Sequence, residues 1–262
     1  MTSTKTINNK TNLHVIFIKS VLLIKLYQLT RSLRKDFTLL ALKNVYEFTG
    51  NNSNDDSLFA LIAEGIDKRG YSIMPTALPE ALTHSLFTHQ QLMEADKFKS
   101  AGIGRGKEYL QNEFVRTDAI SWITGESQAG QDWLTWVAGL QTYLNRRLFL
   151  GLFSFESHFA HYRPGDYYKR HYDAFKGESN RVLSVVVYFN SHWLPSDGGE
   201  LVLYKSDHDK EGIKVVPLMG TIVTFLSEEF PHEVLAANRD RYSIAGWFRV
   251  NTSVTDRVDP PR

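Results

Sequence analysis

From about residue 155 onward the apolar residues come in short runs rather than at helical spacing: "ESHFAHYR", "RVLSVVVYFN", "GELVLYK", "GTIVTFLS" and "RYSIAGWFRV". These runs are rich in β-branched and aromatic residues and are bounded by Gly, Pro, Asp and Asn, the pattern of short strands joined by tight turns. Ahead of them, "SLFALIAEGIDKRG" (57–70), "TALPEALTHSLFTHQQLMEADKF" (76–98) and "DWLTWVAGLQTYLNRRLFLG" (132–151) carry apolar residues at helical spacing. Helices first and many short strands afterwards predict an α+β fold, a β-sandwich or jelly roll buttressed by N-terminal helices. No internal repeat is evident.

The 262 residues suffice for one substantial core, and 42% hydrophobic with 23% charged residues is ordinary for a globular chain. "TGNNSNDDS" (49–57) is dense in turn residues and reads as a linker. It separates a basic, partly apolar extension, residues 1–55, from one domain, residues 56–262, with a helical part at 56–150 and a β core at 151–250. Residues 1–50 hold eight basic against two acidic side chains, a surplus of +6, which leaves −5 on residues 51–262 given the chain total of +1. The mildly acidic body argues against a nucleic-acid partner. In the extension, "NLHVIFIKSVLLIKLYQL" (12–29) is interrupted by Lys19 and Lys25 before a membrane span accumulates. Three readings stay open for it: an amphipathic helix packed on the domain, an interfacial or targeting segment, or translated upstream sequence. There is no cysteine, which excludes disulfide frameworks, thiolate nucleophiles and Cys-ligated metal centres and fits a reducing cytoplasm. Any metal must be held by histidine and carboxylate.

"YKRHYDAF" (168–175) offers such a pair. On a strand, residues i and i+2 project from one face, so His171 and Asp173 are expected side by side. His-x-Asp arises by chance in many proteins, so a third donor decides. "FPHEVLAANRDRYS" (230–243) places His232 in another strand-like run, 59 residues after Asp173. Two histidines and one carboxylate on a rigid β scaffold form the facial triad of non-haem Fe(II) oxygenases, which leaves positions open for cosubstrate and dioxygen. A 2-oxo acid filling two of those positions would need a cation for its far carboxylate. Arg241, with Ser243 on the same strand face, suits it, because a guanidinium binds carboxylates bidentately. "GIGRGKE" (102–108) has the look of a phosphate loop, but no Ser or Thr follows Lys107, and it reads as a mobile loop. His158 and His161, three apart on a strand, face opposite ways and are poor joint ligands.

"HYRPGDYYKRHYD", "RVLSVVVYFN", "GGELVLY" and "PHEVLAANRDRYSIAGWF" together resemble the 2-oxoglutarate- and Fe(II)-dependent prolyl hydroxylases, nearest the hypoxia-factor type and its bacterial relatives, and "VRTDAISWITG" (115–125) extends the likeness upstream. The resemblance implies a double-stranded β-helix core of the jelly-roll or cupin-like kind. It implies His171, Asp173 and His232 as iron ligands and Arg241 as the anchor of 2-oxoglutarate, with Ser243 beside it. It implies Tyr188 and Tyr162 as hydrogen-bonding partners of that cosubstrate, and Arg116, Asp118, Arg181 and Trp247 near the entrance where a peptide is held. Dioxygen is then the second cosubstrate, ascorbate a candidate reductant, and a protein or peptide with a target proline the partner. Residues 99–114 fall where a substrate-covering loop is expected and match no family pattern. Two alternatives are carried forward: hydroxylation of a free amino acid or small metabolite, and a cupin-like module whose His/Asp/His set holds zinc, manganese or nothing.

Overall fold

A computed structural model describes residues 54–93, 97–101, 115–174 and 180–251. The chain divides into two units, residues 1–52 and 53–262, and the described residues all belong to the second. The apolar segment 12–29 and the glycine-rich stretch 102–108, with the rest of the expected covering loop up to residue 114, lie outside them.

Among the described residues three α-helices carry one side of the domain: α1 (Asn54–Arg69), α2 (Glu80–Leu92) and α3 (Gln128–Leu148). Helix α1 opens with Asp55 and Asp56 and closes with Lys68 and Arg69, charges that complement the helix dipole at both ends. Helix α3 starts at Ser127, whose hydroxyl accepts from the Gly130 amide, and ends where Phe149 takes a left-handed φ of 55°. No described helix is long and apolar enough to cross a membrane.

The strands are β1 (Tyr71–Met74), β2 (Lys99–Ser100), β3 (Ala119–Trp122), β4 (Leu152–Tyr162), β5 (Tyr168–His171), β6 (Arg181–Tyr188), β7 (Leu201–Leu203), β8 (Ile213–Val215), β9 (Ile222–Leu226), β10 (His232–Val234) and β11 (Arg241–Val250). They form two antiparallel sheets, a major one ordered β1-β9-β6-β11-β4-β3-β2 and a minor one ordered β5-β10-β7-β8. This is the double-stranded β-helix. Three of its strands, β1, β2 and β3, come from the stretch read as helical. They are two to four residues long, too short to impose a period on the sequence, and they extend the edges of the major sheet.

Alternation along the long strands sorts the side chains into two layers. Phe159, Leu183, Val185, Val187, Ile244 and Phe248 on one face of the major sheet pack with Ile62, Leu86, Trp133 and Leu140 of the helices. The Trp133 indole reaches through this layer to donate to Ser157 Oγ at 3.1 Å. The opposite face looks toward the minor sheet, and Tyr162, Tyr188, Val223 and Phe225 share an apolar cluster with Leu201, Leu203, Val215 and Val234. The register of the central strands then fixes which residues line the space between the sheets. Arg241 pairs with Tyr162, Ser243 with Ala160 and Tyr188, Ala245 with His158 and Val186, and Trp247 with Glu156 and Ser184. One face of β4, β11 and β6 therefore presents the buried polar residues His158, Ser184, Arg241 and Ser243 to the space between the sheets.

Candidate active site

The two histidines are brought together by pairing in the minor sheet. His232 of β10 stands directly opposite His171 of β5, and the ring centroids are 4.2 Å apart. Asp173 does not sit on the same strand as His171, as the i, i+2 spacing suggested. Strand β5 ends at His171, and Asp173 follows on a bend that turns its carboxylate back toward both imidazoles. His171 Nε2 lies 3.7 Å from Asp173 Oδ1, and His232 Nε2 lies 3.6 Å from Asp173 Oδ2. Those separations are too long for hydrogen bonds and suit donors arranged around an ion. One potential ligand atom from each of the three residues lies within 4.8 Å of the others.

The surroundings prepare the donors. His171 Nδ1 stands 2.8 Å from the Lys169 carbonyl, and His232 Nδ1 stands 3.1 Å from the Phe230 carbonyl. A carbonyl accepts only, so each Nδ1 carries the proton and each Nε2 keeps a lone pair for a metal. Burial first, and then the neighbouring charge of His171, pushes the His232 imidazole down to about 4, so it is neutral at physiological pH. Burial alone would raise the Asp173 carboxyl. Attraction to the His232 and His171 rings, with Arg181 beyond, outweighs it and holds the group well below the usual carboxylate range. Ser184 Oγ donates to Asp173 Oδ2 at 2.6 Å. Two imidazoles whose Nδ1 atoms are engaged by carbonyls, and an ionised carboxylate with one oxygen engaged by Ser184, fit a divalent iron.

Beside this cluster lies a buried cation. Arg241, 1% exposed, donates from Nε to the Gly199 carbonyl at 2.8 Å and from Nη1 to Ser243 Oγ at 3.3 Å. No carboxylate pairs with it among the described residues. Its guanidinium carbon is 4.8 Å from the Tyr162 ring centroid and 5.0 Å from that of Tyr188. Burial pushes the Tyr188 phenol up to about 12 against the pull of Arg241, and its hydroxyl has no aligned hydrogen-bond partner. Gly199 makes room for this arginine: at φ +68° an added Cβ would meet Ala237 Cβ at 2.9 Å and Arg241 Cδ at 3.0 Å. A buried guanidinium held by neutral groups, beside an unsatisfied phenol, is a receptor for a carboxylate.

The four residues assigned to the entrance fall into two pairs flanking the cluster. Arg116 forks onto Asp118, with both hydrogen bonds at 2.7 Å. It also lies 4.5 Å over the Tyr168 ring, which stacks on His171 at 3.6 Å. On the other side Arg181 lies 3.7 Å over Trp247 and donates to Glu156 at 2.8 and 3.0 Å. Sequence reasoning missed Glu156, Ser184 and His158 as parts of this assembly. His158 is buried between Trp122 and Trp247, at 5.2 and 5.5 Å between ring centroids, and burial, then Arg116, pushes its imidazole down to about 4. A polar residue inside an apolar strand run, such as Ser184 in "RVLSVVVY", was the signal available.

A family model described as the 2OG-Fe(II) oxygenase superfamily matches residues 157–249, the stretch holding both sheets' central strands. A prolyl-4-hydroxylase from Pseudomonas putida is 36% identical, with a TM-score of 0.65, over 74% of this chain and 99% of that one. A prolyl hydroxylase from Trichoplax adhaerens, solved with a hypoxia inducible factor oxygen degradation domain peptide, is 24% identical with the same TM-score, over 74% of this chain and 90% of that one. A prolyl 4-hydroxylase from Phytophthora capsici, at 20% identity and a TM-score of 0.57, covers 78% of this chain and 68% of its own. The chain belongs to the 2-oxoglutarate- and Fe(II)-dependent oxygenase superfamily and is prolyl hydroxylase-like within it. It is a 2-oxoglutarate-dependent dioxygenase, with Fe(II) as cofactor and 2-oxoglutarate and dioxygen as cosubstrates.

Proposed function

We propose that this dioxygenase hydroxylates a prolyl residue within a polypeptide, with His171, Asp173 and His232 holding the iron. Iron held by these residues would supply the activation of dioxygen with 2-oxoglutarate, one oxygen atom going into a substrate C–H bond and the other into succinate as carbon dioxide leaves. Arg241 receives the distal carboxylate of 2-oxoglutarate, Ser243 holds the guanidinium in place, and the Tyr188 and Tyr162 hydroxyls bond the same cosubstrate. The apolar walls around them, Val223, Phe225, Leu203 and Val234, exclude water from the reacting centre.

The observation that carries the assignment of 2-oxoglutarate chemistry to these residues is Arg241, a buried cation with no carboxylate partner among the described residues, on the sheet face that fronts the His/Asp/His cluster. The prolyl substrate is supported by the 36% identity to the Pseudomonas putida prolyl-4-hydroxylase. A polypeptide rather than a free amino acid is favoured by the charge pairing at the entrance. Arg116 is engaged by Asp118 and Arg181 by Glu156. A free amino acid brings a carboxylate that would compete for one of these forks, whereas an internal prolyl residue brings only neutral amides.

Mass spectrometry of lysate proteins treated with the active enzyme, set beside a succinate-release assay with free L-proline, tests this. The expected result is oxygen gained on a protein prolyl residue and no stimulation of succinate release by free proline. Turnover of free proline with no modified protein would overturn the polypeptide reading.

A further inference from the structure

Asp173 lies past the end of β5, and the grip on its carboxylate comes from the opposite sheet. Ser184, in β6, donates to Asp173 Oδ2 at 2.6 Å, and Ser227 Oγ stands 2.9 Å from Ser184 Oγ. A hydroxyl has one hydrogen to give. That of Ser184 is committed to the carboxylate, so the Ser227 hydroxyl donates to Ser184, and the three groups form a relay ending on Oδ2.

Both serines are fully buried. Ser184 is opposite Trp247 on one neighbouring strand and Phe225 on the other, so the register of the central sheet sets its position. Ser227 follows β9, with its amide donating to the Val182 carbonyl at 3.0 Å. Placing two hydroxyls in this layer is unfavourable unless they are bonded, and the bonds they make lead to one oxygen of one carboxylate.

We propose that Ser184, backed by Ser227, is the positioning residue of the metal-binding carboxylate. By engaging Oδ2 it leaves Oδ1 as the unengaged oxygen and fixes the carboxylate plane, and so it sets how tightly the site holds a divalent metal. The proposal rests on Asp173 being a ligand.

The test is Co(II) titration of the metal-free full-length protein, followed by calorimetry and by the visible absorption of the bound ion. Ser184→Thr and Ser184→Val have nearly the same shape and differ in the hydroxyl. Ser184→Thr is expected to bind Co(II) within a few-fold of the unaltered protein. Ser184→Val is expected to bind about 10- to 100-fold more weakly, with a changed absorption envelope. Ser227→Ala is expected to show a smaller loss, and adding it to Ser184→Val no further loss, because Ser227 acts through Ser184. Equal affinity and equal spectra for the Thr and Val variants would overturn the proposal. Asp173→Ala is the separate control: undiminished Co(II) affinity there would overturn the ligand assignment instead.

Discussion

Replacing His232 by alanine is expected to abolish 2-oxoglutarate turnover, lowering succinate release by at least about 1000-fold, while the protein remains folded. In the proposed site His232 supplies one of three donors, and its Nδ1 is already committed to the Phe230 carbonyl, so nothing else in the residue can serve the metal. A bound metal contributes several kcal/mol to such chemistry, and about 4 kcal/mol corresponds to that factor. The imidazole is buried and neutral, resting against Phe225 at 4.7 Å between centroids, so its loss leaves a small cavity and no orphaned charge. Circular dichroism should therefore show a native spectrum for the inactive variant. His171→Ala is expected to behave alike, because the two histidines are partners across β5 and β10. Retained turnover in either variant would remove the cluster from the reaction.

Arg241→Ala is expected to raise the KM for 2-oxoglutarate by at least about 30-fold, with a smaller fall in kcat. Truncating one partner of a buried charge-assisted pair costs about 2–5 kcal/mol, and each 1.4 kcal/mol is a factor of ten. The stability readout separates this from general damage. In the ligand-free protein the guanidinium is a buried charge held by a carbonyl and a hydroxyl, an arrangement with little to lose on truncation. The unaltered protein should gain melting temperature when 2-oxoglutarate and Mn(II) are added, as any ligand of the native state does, and Arg241→Ala should not. Arg241→Lys should recover only part of the affinity, since an ammonium cannot reproduce the fork. An unchanged KM for Arg241→Ala would show that the cosubstrate carboxylate is held elsewhere.

Much of this site is legible in the sequence, for a physical reason. The alternation of strand side chains makes i, i+2 partners such as Arg241 and Ser243 readable from spacing alone, and the two do share a face and a hydrogen bond. The long strands β4, β6 and β11 carry enough residues to declare their period. What stayed hidden depends on register between distant strands, which a single sequence does not encode. That His232 stands opposite His171, or that Ser184, Trp247 and Glu156 form one row, follows from pairing across 61 to 91 positions of chain, and spacing says nothing of it. The same limit explains Asp173, where the spacing suggested one strand and the chain instead bends after His171. It also explains β1, β2 and β3, whose few residues take their conformation from the sheet edge they join.

The assignment of the iron ligands is tested most directly by anomalous diffraction from crystals of the full chain grown without oxygen and soaked in Mn(II). The expected map has one strong peak bonded to His171 Nε2, His232 Nε2 and a single oxygen of Asp173. A peak lacking either imidazole, or a metal bound at another set of residues with this cluster empty, would contradict it.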